Sequence, residues 1–119
     1  MIDCIRCFLR KTKEHRHVLQ LIKETDSIMI SFIVNNETIS LSLKNGEIKL
    51  LHDSEEMFNK YEIYGEFAAI ELLLTGKERL RNLVKREKLT IAAPFRRILM
   101  LESLFYLTKG TEKRFAAKA

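Results

Sequence analysis

Two short spacings near the start of the chain could do chemistry: Cys4-x-x-Cys7 and His15-x-His17. Thiolates and imidazoles at such intervals are ligand types of a structural zinc site, and a Cys-x-x-Cys pair is also the couple used by thiol oxidoreductases. Geometry weakens both readings. On one continuous helix Cys4 and His15 stand about 16 Å apart along the axis and His17 points away, so one ion does not reach all four. No strand precedes the cysteines, as a thioredoxin-type site requires. The pair reads instead as two small hydrophobes on a helix face, and no metal and no cofactor are expected. There is no glycine-rich phosphate loop, no HExxH and no GxSxG. His52 is the one histidine near the end of a strand-like segment, and a lone histidine is more often structural than catalytic. The expectation is a protein that is not an enzyme.

Charge points elsewhere. The 119 residues carry a net charge of +5, but unevenly: residues 1–23 sum to +4, residues 24–76 to −7 and residues 77–119 to +8. The middle block is strand-like and the ends are helical, so a bipolar surface with one face attractive to anions is expected. Phosphate, anionic lipid, coenzyme A and nucleic acid all suit such a face. Nucleic acid is not the expected partner, because no aromatic residues interleave with the basic run at 77–88 and no base-reading motif is present.

The elements that must position these groups follow from periodicity. Ile2, Ile5, Phe8, Leu9, Val18, Leu19 and Ile22 recur at helical spacing and predict one helix over about 2–24, with a break near Thr12. From Ser27 the period becomes two: "SIMISFIV", "TISLSLK" and "IKLLH" predict three strands. "KNGE" supplies the tight hairpin turn between the last two, since Asn-Gly tolerates positive φ. "YEIYGEF" predicts a fourth strand, "FAAIELLLT" a helix stopped by Gly76 in a left-handed C-cap, "KERLRNLVKR" a second helix, and "KLTIA" a fifth strand. Pro94 suits the first turn of a final helix, and the tail from Gly110 has no periodicity and is expected to fray. After Pro94, nine of the thirteen residues 95–107 are apolar. A helix apolar almost all round is either buried on most sides or covers something.

Composition and length give one domain, over residues 1–110 with a flexible tail at 111–119. No apolar run approaches the roughly 18–20 residues of a membrane span, and the charged N-terminus does not read as a signal peptide. A cytoplasmic protein with reduced thiols is expected.

The order of these elements and several local motifs resemble the sterol carrier protein 2 family over about residues 15–107, most densely from Tyr61 onward. The family pattern there is a strand, a leucine-rich helix ending in Leu-x-Gly, a second helix, Gly-x-Leu-x-Ile-x-Gly and a final apolar helix. Leu74-Thr75-Gly76, Leu89-x-Ile91 and Leu101-x-x-Leu104-Phe105 fall in register with it. Glu87 and Ala93 stand where the family carries glycines, so the turn into the final helix is expected to differ.

The resemblance implies an α+β fold: an N-terminal helix, a three-stranded antiparallel meander, a crossover to a fourth strand, helices, a fifth strand and a C-terminal apolar helix, with helices on one face of a five-stranded sheet. It implies non-catalytic binding and transfer of a long-chain lipid, whether fatty acid, acyl-CoA, sterol-like molecule or phospholipid, in a hydrophobic tunnel between sheet and helices. The lining expected on that basis is Phe67, Ile70, Leu74, Leu83, Ile91, Ile98, Leu101 and Phe105. An anionic head group is expected near Arg79, Arg81, Lys85 or Arg96, with transient contact to anionic membrane. Glu102 falls inside the apolar arc of the final helix and either reaches solvent at its edge or marks the polar end of the cavity. The competing reading is an interaction or regulatory module that buries the final helix against a partner or a second copy, so that monomer and homodimer both stay open.

Overall fold

The computed structural model describes residues 1–24, 26–44, 46–51 and 59–118, the last ten by backbone alone. The N-terminal periodicity forms two helices, α1 (Ile2–Lys13) and α2 (Arg16–Lys23). The break falls at Glu14 and His15 because His15 is an N-cap: its Nδ1 accepts the Val18 N–H at 3.3 Å. Thr12 stays helical and buried, its hydroxyl donating to the Leu9 carbonyl at 2.7 Å.

Strands β1 (Ile28–Val34), β2 (Glu37–Lys44) and β3 (Glu47–Leu51) make the expected antiparallel meander. Val34 pairs with Glu37 across Asn35 and Asn36, and Asn35 takes φ 54°, a left-handed conformation that asparagine tolerates. Lys44 pairs with Glu47, and Gly46 takes φ 76°, while Asn45 lies outside the described residues. The chain leaves β3 at one edge and returns as β4 (Lys60–Gly65), which lies parallel to β1; β5 (Leu89–Ile91) then pairs antiparallel with β4. The order β3-β2-β1-β4-β5 is a mixed five-stranded sheet in an α+β fold. His52 and the polar connection around it are outside the described residues.

Alternation sets the covered face. Registered rows such as Leu50, Leu41, Ile30 and Tyr61, or Ile39, Phe32, Ile63 and Ile91, run across the sheet. They join Ile5, Phe8, Val18, Ile22, Leu73, Leu104 and Phe105 of the helices in one apolar core. Phe105 sits between α1 and the sheet, its ring centroid 5.3 Å from Phe8 and 6.1 Å from Phe32.

Helices α3 (Phe67–Leu74) and α4 (Leu80–Lys85) end in the same way. After α3, Gly76 at φ 71° donates to the Leu73 carbonyl and Lys77 to that of Leu72. After α4, Glu87 at φ 58° donates to Val84 and Lys88 to Leu83. Both are Schellman caps, and the second places glutamate where glycine is the usual residue.

The last helix, α5 (Phe95–Lys118), packs against α1, α2, α3 and α4. Its backbone runs on through Gly110 where a frayed tail was expected. Glu112, Lys113, Arg114, Ala116 and Ala117 are all good helix formers, and one internal glycine costs only about 1 kcal/mol relative to alanine.

Candidate functional site

The eight residues expected to line a tunnel are placed in three kinds of environment. Ile70, Leu74, Leu83, Leu101 and Phe105 are core residues, Ile91 and Ile98 are half-buried against that core, and Phe67 is exposed. Phe67 and Leu74 open onto a hollow of about 400 Å³ between α1 and α3, whose other walls include Cys4, Cys7, Phe8, Lys11 and Glu71. Leu83 borders a different hollow beside β4 and β5. Phe8 links the first hollow to the core, because its ring touches that of Phe105 directly behind it.

In that hollow Cys4 is half-buried and Cys7 exposed, and both are free thiols. Burial first, then the Glu71 carboxylate and Cys7, push the Cys4 thiol above its ordinary value. Cys4 is thus a smaller thiolate fraction than a free thiol at the same pH, which suits a hydrophobe in a wall rather than a nucleophile. Among the described residues no three His, Cys, Asp or Glu side chains come together as metal ligands.

The cations are grouped apart from the apolar lining. Arg79, Arg81 and Lys85 border an open hollow of about 570 Å³ together with Asn82 and Glu102, and it shares no lining residue with the α1–α3 hollow. Arg96 lies exposed on α5 outside it. Glu102 is 7% exposed and its carboxylate is fully engaged: Oε1 accepts the Arg81 backbone N–H at 3.1 Å, and Oε2 accepts from Arg81 Nε and Nη2, both at 3.0 Å. Helix α4 has no side-chain cap of its own, so Glu102 reaches across from α5 and caps it. Of the two readings of Glu102 weighed above, neither anticipates this use.

The residue that sequence reasoning passed over is Arg97. It is 8% exposed and sits on the inward side of α5 with Leu101, Leu104 and Thr108, at helical intervals of four, three and four. One contact, Nη2 to Asp26 Oδ2 at 3.4 Å, offsets its charge, and its Nε is buried without a hydrogen-bond partner. Asp26 precedes β1, so Arg97 lies at the end of the sheet where β1 and β4 begin. Phe67 follows Gly65 and lies where they finish. The same wheel that drew attention to Arg96 carries the signal for Arg97, which falls within the apolar arc.

Helix α5 also resolves the question of its apolar excess. One side of it is core; the other, Phe95, Leu99, Tyr106 and Leu107, is exposed. No helix among the described residues is long and apolar enough to cross a membrane.

The element order, the sheet topology and the helices over one face are those of sterol carrier protein 2 structures. The chain superposes on sterol carrier protein 2 of Yarrowia lipolytica in its apo form with a TM-score of 0.56 at 18% identity, over 90% of this chain and 85% of that one. A second sterol carrier protein 2 crystal structure gives 0.58 at 12% identity, over 90% and 94%. In sequence it is 28% identical over 103 residues to the SCP2 domain-containing protein YusD of Bacillus subtilis, covering 85% of this chain and 89% of that protein. No protein-family model matches the chain. The resemblance read from Leu74-Thr75-Gly76 onward is thus borne out by a relative in sequence and by the fold in structure.

Proposed function

We propose that the protein binds a long-chain amphiphile with one anionic head group, a fatty acid or a related acyl lipid, and transfers it without covalent change. The observation that carries this reading is the hollow between α1 and α3. Its volume lies within the usual range for small-molecule sites, and its floor at Phe8 leads to the apolar interior at Phe105. An acyl chain entering there displaces contacts among Phe67, Ile70, Leu74, Leu101 and Phe105 and replaces them with its own methylenes, each worth about 0.8 kcal/mol on burial. Phe67, at the rim, moves first because it has the least packing to lose. Arg97, at the other end of the sheet, is the buried cation whose unpartnered Nε suits a carboxylate. The names of the three matches given above, each sterol carrier protein 2 or a protein with its domain, support lipid as the ligand class.

The test uses the thiols already in the wall. Alkylation of Cys4 by iodoacetamide, followed by mass spectrometry, should be slower than that of exposed Cys7 at neutral pH. Because the Cys4 thiol is raised, its rate should keep climbing as pH passes the ordinary thiol value near 9.0. Palmitate should slow Cys4 further, and acetate should not. A Cys4 rate unchanged by palmitate at saturating concentration would contradict an acyl chain in this hollow.

A further inference from the structure

Four large apolar or aromatic side chains lie exposed on one side of α5. Phe95 is 62% exposed and Leu99, Tyr106 and Leu107 between 36% and 37%. At about 100° per residue Phe95, Tyr106, Leu99, Arg96 and Leu107 follow one another around a continuous arc of about 120°, interrupted only by Ser103. Among the described residues the other exposed large hydrophobics are Tyr64 and Phe67, so the arc gathers four of the six. A contiguous patch of this kind marks an interaction surface.

The surroundings of the arc specify the partner. Arg79 stacks on it, its guanidinium carbon 4.4 Å from the Tyr106 ring centroid, and that of Arg81 lies 5.9 Å from the Phe95 ring. Lys85 joins both arginines around the adjoining hollow, and Arg96 stands within the arc itself. Two carboxylates beside these cations are paired, Glu102 with Arg81 and Glu78 with Arg86. Aromatic and aliphatic side chains flanked by cations are the composition of a helix lying in a bilayer interface, with rings at the acyl boundary and guanidinium groups at the phosphates. A second copy fits poorly, because a two-fold interface through this face sets Arg79, Arg81, Lys85 and Arg96 against the same four residues.

We infer that the exposed face of α5, with the cations of α4 beside it, docks the protein onto an anionic lipid bilayer. The docking stands on surface residues alone and does not depend on a ligand occupying the interior. Phe95 and Leu99 enter the interface, while Arg79, Lys85 and Arg96 meet head-group phosphates.

The chain has no tryptophan, so Phe95→Trp provides a single reporter. With vesicles of phosphatidylcholine containing phosphatidylglycerol its emission should shift to the blue, and the shift should reverse with added salt; pure phosphatidylcholine should produce none. In co-sedimentation with the same anionic vesicles, Arg79→Gln and Lys85→Gln should each weaken binding about fivefold. Phe95→Asp with Leu99→Asp should abolish it while leaving the thermal midpoint in place, since both residues are exposed. Lys44→Gln with Lys49→Gln, on the sheet hairpin, should leave binding unchanged. Equal binding to neutral and anionic vesicles, or retained binding by the Phe95→Asp/Leu99→Asp protein, overturns the inference. So does a wild-type dimer in sedimentation equilibrium that those two substitutions dissociate.

Discussion

At the scale of single residues, two side chains on α5 decide what its inner and edge positions do. Glu102 holds the start of α4 through one backbone N–H and a two-point contact with Arg81. Glu102→Ala removes a cap and leaves Arg81 N–H unpaired, so a loss of about 1–2 kcal/mol is expected in chemical denaturation. Lipid affinity should be unaffected if the carboxylate serves only the helix. Arg97 is the contrasting case, a cation on the core face with an unpartnered Nε. Arg97→Met fills the same space without charge. It is expected to abolish any preference for palmitate over the corresponding long-chain alcohol in competition binding while leaving the alcohol's affinity in place. An unchanged preference assigns Arg97 to structure. The partner of neither side chain was legible in the sequence, because a helical wheel gives direction and not partner. It put Glu102 in the apolar arc correctly, but the Arg81 N–H it meets belongs to another helix 21 residues away in the chain.

At the scale of elements, local chemistry was read most reliably where turn residues dictate backbone shape. Gly76 occupies the left-handed position expected after α3, and the Asn-Gly hairpin joins β2 to β3 in a two-residue register. The break expected near Thr12 falls two to three residues later, at Glu14 and His15, because histidine is an uncommon cap and hydrophobic periodicity continues across the break. The C-terminal helix extends further than its apolar period because Glu, Lys, Arg and Ala sustain a helix without an apolar face. The two Schellman caps, one with Gly76 and one with Glu87, set up an internal comparison. A non-glycine residue in the left-handed region costs roughly 1–2 kcal/mol, part of which glycine returns through the greater freedom of the unfolded chain. Glu87→Gly should therefore stabilise the protein by about 1 kcal/mol in denaturant titration, with binding untouched. A destabilised Glu87→Gly protein would show that the glutamate side chain does more there than tolerate strain.

At the scale of the whole molecule, the charge blocks and the apolar helix belong to one design. The sheet and α1, α2, α3 and α5 enclose a single core, the hollow between α1 and α3 is walled in part by Phe8 of that core, and Arg79, Arg81 and Lys85 gather around a different hollow. The sequence carried the fold because alternation, turn residues and helix periods agree at nearly every element. It carried the site only in outline. Apolar residues that pack a core and apolar residues that line a cavity have the same periodicity, so Ile70 and Leu101 could be assigned to the interior but not to a wall. Native mass spectrometry of freshly purified protein, followed by solvent extraction of whatever is bound, shows whether this interior accepts a lipid. A population heavier than the apoprotein by the mass of one long-chain acyl lipid is expected, the lipid recovered intact and unmodified in the extract. Apoprotein alone, remaining so after incubation with excess fatty acid and phospholipid, would contradict it.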